Sequence, residues 1–171
     1  MHLLLHIHIL LIFFQLLTCS LPAQPDPVVF TRISGDSYGI PEMNINDMLQ
    51  DRDGFVWFAT RKGLIRYDGY EMKTYWHHPG DTNSISSNRL RALAEDEEGY
   101  LWLGTTNDGL SRFDKEKEVF TNFFHDPQDS TSLCASEVTD LIVDSRDRVW
   151  VGTSNGLDRL DSRTGAIIHY R

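Results

Sequence analysis

Residues 1–23, MHLLLHIHILLIFFQLLTCSLPA, contain no lysine, arginine, aspartate or glutamate. All of the net charge of −9 therefore belongs to residues 24–171. An acidic surface of that kind repels phosphate backbones, which excludes nucleic acid as a partner of this segment. The uncharged stretch ends in the small-residue site Leu21-Pro22-Ala23 and reads as a secretory signal peptide cleaved after Ala23. Its apolar run, Leu3 to Leu17, is about 15 residues, against the roughly 20 that a membrane span needs, so export rather than a retained anchor is expected. Cysteine is almost as scarce as charge is at that end: Cys19 and Cys134 are the only two. Cleavage leaves Cys134 alone, which excludes an intrachain disulfide and points to a buried thiol. His2, His6 and His8, whose spacing could suggest a metal site, would leave with the peptide.

After residue 24 the chain also lacks a sustained helical period, a nucleophile elbow, a phosphate-binding glycine loop and a dense histidine cluster. No catalytic residue, cofactor or metal is expected of this segment, and His77, His78, His125 and His169 read as strand-end and loop residues.

What is present is one motif written three times: DGFVWFAT at 53–60, EGYLWLGT at 98–105 and DRVWVGT at 147–153. Trp57, Trp102 and Trp150 lie 45 and 48 residues apart; Gly63, Gly109 and Gly156, each followed by leucine, lie 46 and 47 apart. Asp68, Asp114 and Asp161 keep the same register. A period near 45 with four strand-like runs per unit predicts β-propeller blades. In the first unit the strands are 45–50 (A), 55–60 (B), 64–68 (C) and 71–76 (D), with tight turns at 51–54 and at Asp68-Gly69.

The resulting division is a signal peptide over 1–23, an outer strand and linker over 24–44, and blades over 45–89, 90–137 and 138–171. Residues 29–33, VFTRI, echo VFTNF at 119–123 and read as an orphan outermost strand. Three blades and one orphan strand do not close a ring, since propellers use about four to eight blades. The fold expected is thus all-β, a partial propeller whose remaining blades follow Arg171.

The turns DRDG, DEEG and DSRD could be taken for calcium loops, but Lys62, Asn107 and Asn155 stand where the twelfth-position glutamate is required. They are better read as hairpin turns capped by aspartate. The three tryptophans, mid-strand in B, are expected to pack between blades rather than to stack on sugars. Trp57, Trp102, Trp150, Gly63, Gly109 and Gly156 are accordingly structural.

The inter-blade connections repeat as well. HHPGDTNSISSN at 77–88 matches HDPQDSTSLCAS at 125–136, with His77/His125, Pro79/Pro127, Asp81/Asp129 and Ser84/Ser132 each 48 apart. Strand parity puts these long D-to-A loops on the same face as the B-to-C turns. That makes Arg61, Asn107 and Asn155 the candidate ligand-binding residues. A purely structural role for the repeated loop residues, with proline and aspartate fixing the turn, stands beside that reading.

The pattern D-x-x-G-x-[VL]-W-[FL]-[AG]-T, then G-L-x-R-[YF]-D, then a His/Asp-Pro…Asp…Ser loop resembles the two-component regulator propeller repeat over about 28–171. The third unit departs at Arg148, where the turn glycine is missing, and at Leu160, where the aromatic is missing. The resemblance implies the sensor portion of a bacterial hybrid two-component histidine kinase, on the periplasmic side of the inner membrane. In such proteins two seven-bladed propellers and a β-sandwich precede a membrane span, a kinase, a receiver and often a helix-turn-helix region. The partners it implies are the remaining blades, an oligosaccharide ligand and, for the full-length protein, a second copy in a homodimer. A secreted propeller enzyme, lyase or glycosidase, and a non-catalytic scaffold propeller are the alternatives.

Overall fold

The computed structural model describes residues 44–170. The expected signal peptide, the expected outer strand at 29–33, Cys19 and the N-terminal histidines lie outside them. Among the described residues the regular structure is twelve strands with no helix: β1 (Ile45–Gln50), β2 (Val56–Thr60), β3 (Gly63–Tyr67), β4 (Met72–Tyr75), β5 (Leu90–Glu95), β6 (Leu101–Thr105), β7 (Leu110–Asp114), β8 (Val119–Phe123), β9 (Val138–Val143), β10 (Arg148–Thr153), β11 (Gly156–Asp161) and β12 (Ile167–Tyr170). They form three four-stranded antiparallel sheets, β1–β4, β5–β8 and β9–β12, each a meander in chain order. The partial propeller expected from the repeat is what the structure shows.

The register is the same in each sheet. Trp57 lies between Leu49 and Arg66, Trp102 between Ala94 and Arg112, and Trp150 between Ile142 and Arg159. Because side chains alternate across a strand, one strand can feed two interfaces. In β6, Leu101 and Leu103 pack with Trp57, Ala59 and Leu64 of the first sheet, while Trp102 packs with Val138, Val149 and Val151 of the third. That double burial is why strand B reads as apolar on both faces. Trp57–Tyr75, Tyr75–Phe113 and Phe113–Phe120, at 6.0, 4.9 and 4.4 Å between centroids, carry a run of rings across the first junction.

The third sheet differs on its far side. Trp150 is half-buried there against Tyr170, and Ile142, Leu157, Ile168 and Tyr170 are 63, 38, 47 and 43% exposed. The same side of the first two sheets is packed against a neighbour.

The A–B turns are capped as expected, and they do more. Asp51 Oδ1 accepts the amides of Asp53 and Phe55, while Oδ2 accepts the Trp57 indole N–H at 2.8 Å. Asp96 and Asp144 hold Trp102 and Trp150 in the same way, at 2.7 and 2.9 Å. The carboxylates are thus spent on the turn and the indole, not directed outward as calcium ligands.

The departure expected at Arg148 falls one residue earlier. Asp147 occupies the place of Gly54 and Gly99, takes a φ of +57°, and donates its amide to Asp144 O at 2.9 Å. Aspartate is among the few residues that tolerate the left-handed region, so the turn survives without glycine.

Gly109 has less latitude. Its φ is +76°, and a Cβ there would overlap the Phe123 carbonyl oxygen and press on Leu133. Gly109→Ala should therefore destabilise the protein by about 2 kcal/mol, read as a lower midpoint in urea at unchanged slope.

Candidate functional site

The long loops joining β4 to β5 and β8 to β9 meet the B–C turns through backbone hydrogen bonds. Gly63 N donates to Asn88 O and Gly109 N to Ser136 O, at 2.9 and 2.8 Å. Thr106 N donates to Arg89 O and Ser154 N to Glu137 O, at 3.0 and 3.1 Å. Loops and turns therefore share one face, as strand parity requires.

The repeated polar residues of the loops are occupied within them. The His77 ring bonds Ile85 O through Nδ1 at 2.7 Å, and His125 bonds Leu133 O likewise at 2.5 Å. Ser84 Oγ accepts the His78 amide and Ser132 Oγ that of Asp126. Asp81 and Asp129 cap the amides of Asn83 and Thr131. These bonds drive Ile85 and Leu133, 0 and 1% exposed, into the two inter-blade cores. Each loop is a peg as well as a rim. The sequence signal is an apolar residue at the same loop position 48 residues on, hidden in an otherwise polar run.

Arg61, Asn107 and Asn155 lie one in each of the three B–C turns and all are exposed, but Lys62, not Arg61, shares the place of Asn155, since both donate their amide to the threonine that ends the strand before. Asn155 also donates through Nδ2 to Cys134 O at 3.2 Å, tying its turn to the loop. None of the three lines the open cleft of about 510 Å³ on this face, which is bounded by His77, Asp81, Thr82, Asp108, Asn122 and Phe124. Phe124 and Trp76, 48 residues apart at the foot of each loop, are 57 and 51% exposed. These two aromatic rings are absent from the sequence-based candidates because their positions read as strand ends.

On the opposite, short-turn face, a second cleft of about 410 Å³ lies between the first two sheets, bordered by Arg52, Asp53, Tyr100, Lys115 and Lys117. Lys115 Nζ sits 2.9 Å from Asp51, 3.0 Å from Asp53 and 2.8 Å from Glu95. Burial opposes its charge, but the hydrogen bonds it donates to Glu95, Asp51 and Asp53 outweigh that and hold its pKa well above the ordinary lysine range. Asp51 is likewise opposed by burial yet held below the usual carboxylate range by Lys115 and Trp57. At the next junction Ser162 takes the place of Lys115 and bonds Asp147. There, among the described residues, no cation pairs with the Asp96 carboxylate, and burial raises its pKa, against the hydrogen bond from Trp102. The short-turn face is cross-braced, while the long-loop face leaves turn and rim side chains exposed.

Repeated four-stranded antiparallel meanders, pegged together by loops on one face, define a β-propeller segment. The model of the two-component regulator propeller family matches residues 39–62, 84–107 and 132–155. The three matched segments fall one at the start of each blade. It is 37% identical over 75 residues to histidine kinase P4 of Formosa agariphila, a match spanning 44% of this chain and 5% of the kinase. It also superposes on the extracellular domain of a hybrid two-component system from B. thetaiotaomicron with a TM-score of 0.76 and 28% identity, over 85% of this chain and 20% of that domain. Virginiamycin B lyase from Staphylococcus aureus shares the fold, with a TM-score of 0.58 at 15% identity over 77% of this chain and 42% of the lyase. The chain thus spans a small part of the two-component relatives it matches.

Proposed function

We propose that this chain is the ligand-sensing propeller segment of a hybrid two-component sensor kinase, exported by its N-terminal signal peptide to the periplasmic side of the inner membrane. The observation that carries the reading is the likeness, over most of the chain, to an extracellular domain of such a system. The segment itself supplies no catalytic residue; phosphoryl transfer belongs to a kinase elsewhere in a membrane-anchored, homodimeric parent. The exposed apolar side of the third sheet supports further blades packing there, as the second sheet packs on the first.

The ligand is an oligosaccharide bound on the long-loop face. Arg61, Asn107 and Asn155 supply hydrogen bonds, and Trp76 and Phe124 offer the apolar ring faces on which sugars stack. Calorimetric titration of the purified protein with a panel of neutral and acidic oligosaccharides tests this. At least one should bind, and Arg61→Ala, Asn107→Ala or Asn155→Ala should weaken it by about tenfold, or about 1.4 kcal/mol. Unchanged affinity in all three variants removes these residues from the site. No binding across the panel removes the ligand class from this segment.

A further inference from the structure

In the third blade three residues from separate elements converge. Cys134 comes from the loop before β9, Asp158 from β11 and His169 from β12, and a sulfur, a carboxylate oxygen and a ring nitrogen lie within 4.8 Å of one another. Cys134 and Asp158 are buried, and the His169 side chain is 21% exposed. Asp158 Oδ2 accepts the Cys134 amide at 2.8 Å, and Oδ1 lies 2.6 Å from His169 Nδ1. His169 Nε2 lies 2.8 Å from the Ser130 carbonyl oxygen. A carbonyl only accepts, so Nε2 carries a proton, and a neutral ring presents the Nδ1 lone pair to a carboxylate that also only accepts. Between them lies either a second ring proton, which makes an imidazolium–carboxylate pair, or a metal cation.

The second blade shows that joining these positions needs no such chemistry. There Ser86, Ser111 and Asn122 occupy the equivalent places. Ser86 N donates to Ser111 Oγ at 3.2 Å, and Ser111 Oγ bonds Asn122 Oδ1 at 2.6 Å. In the first blade the corresponding strand pair is Ile65 and Thr74. The same loop-to-strand link is made with neutral groups in one blade and with a thiol, a carboxylate and an imidazole in another.

We propose that Cys134 Sγ, Asp158 Oδ1 and His169 Nδ1 bind one zinc ion that clamps the long loop to the outer strands of the third blade. This donor set, soft sulfur with nitrogen and one oxygen, favours zinc over calcium or magnesium. Zinc bond lengths of about 2.0–2.3 Å in a tetrahedron place donor atoms roughly 3.3–3.6 Å apart, so adjustments of about 1 Å complete the site. The Nε2 bond to Ser130 O is the outer contact that orients a ligating histidine. Cys134 binds as the thiolate and its proton passes to solvent. The partly exposed edge at His169 leaves room for water as the fourth ligand.

The test is titration of the full-length chain, carrying Cys19→Ser, with cobalt(II) as an optical stand-in, followed by zinc(II). One equivalent of cobalt should produce a thiolate-to-metal charge-transfer band in the near ultraviolet, which zinc then abolishes. Cys134→Ser should remove the band. His169→Asn, which installs the residue that the second blade tolerates at this place, should fold and weaken binding by more than about tenfold. Absence of the band in the folded Cys19→Ser protein, its fold checked by near-ultraviolet circular dichroism, overturns the proposal and leaves a buried imidazolium–carboxylate pair. A band unchanged by His169→Asn overturns it too.

Discussion

Replacing Lys115 by methionine is expected to lower the unfolding free energy by about 3–5 kcal/mol at neutral pH, the usual cost of removing one partner from a buried ionic cluster. The Lys115 side chain is 14% exposed, and two of its three partners, Asp51 and Glu95, are 0 and 12% exposed. Methionine keeps most of the aliphatic stem, so the loss reports on charge. Lysine in the wild type is held above its ordinary pKa. Its contribution is therefore complete below the unfolded value of about 10.4 and fades as pH rises toward the raised folded value. Asp51 is depressed, so its contribution is complete above about pH 3.9 and fades as pH falls through the lowered value. Between those limits the wild-type cluster should be insensitive to pH.

The variant should not be. Without the lysine, burial dominates Asp51 and places its folded pKa above the unfolded one, so protonation relieves the strain. The difference between the two proteins in urea should shrink markedly from pH 7 to pH 4. An equal difference at both pH values would assign the loss to packing of the stem instead.

The same lysine shows what the sequence could and could not disclose. Whatever the repeat preserves is legible: the strand holding Trp57, Trp102 and Trp150, the Gly-Leu turn and the aspartate-capped hairpins all recur because every blade needs them. Side chains that break the repeat are not. Lys115 is 64 residues from Asp51 and its counterpart is Ser162, so no spacing marks it. Cys134, Asp158 and His169 come from three elements, and their counterparts Ser86, Ser111 and Asn122 share no chemistry with them. Ile85 and Leu133 do repeat, but their polar surroundings disguise burial that depends on the loop folding back. The constant six-residue interval from turn aspartate to tryptophan was also available. Its meaning, a bond from the indole to the turn, needs the curvature of the hairpin to be seen.

The tryptophans give the second large effect, and it should be unequal among them. Trp102→Ala is expected to cost about 3–5 kcal/mol, the range for emptying a large buried aromatic site. Trp102 is 0% exposed, lies 5.6 Å from the Phe123 ring and donates to Asp96, itself 1% exposed. Trp102→Phe keeps an aromatic ring but loses the donor together with part of the indole, so it should cost less than alanine yet at least the penalty on the Asp96 carboxylate, about 1–3 kcal/mol. Trp150→Ala should cost distinctly less, because its side of the third sheet is open and Asp144 keeps Arg148 as a partner at 2.6 Å. Urea unfolding of the three variants beside the wild type decides the order. If Trp150→Ala proves as damaging as Trp102→Ala, the outer side of the third sheet is covered in solution. Sedimentation at several concentrations would then show whether a second copy covers it, since a cover built from another copy must dissociate on dilution while one from the same chain must not.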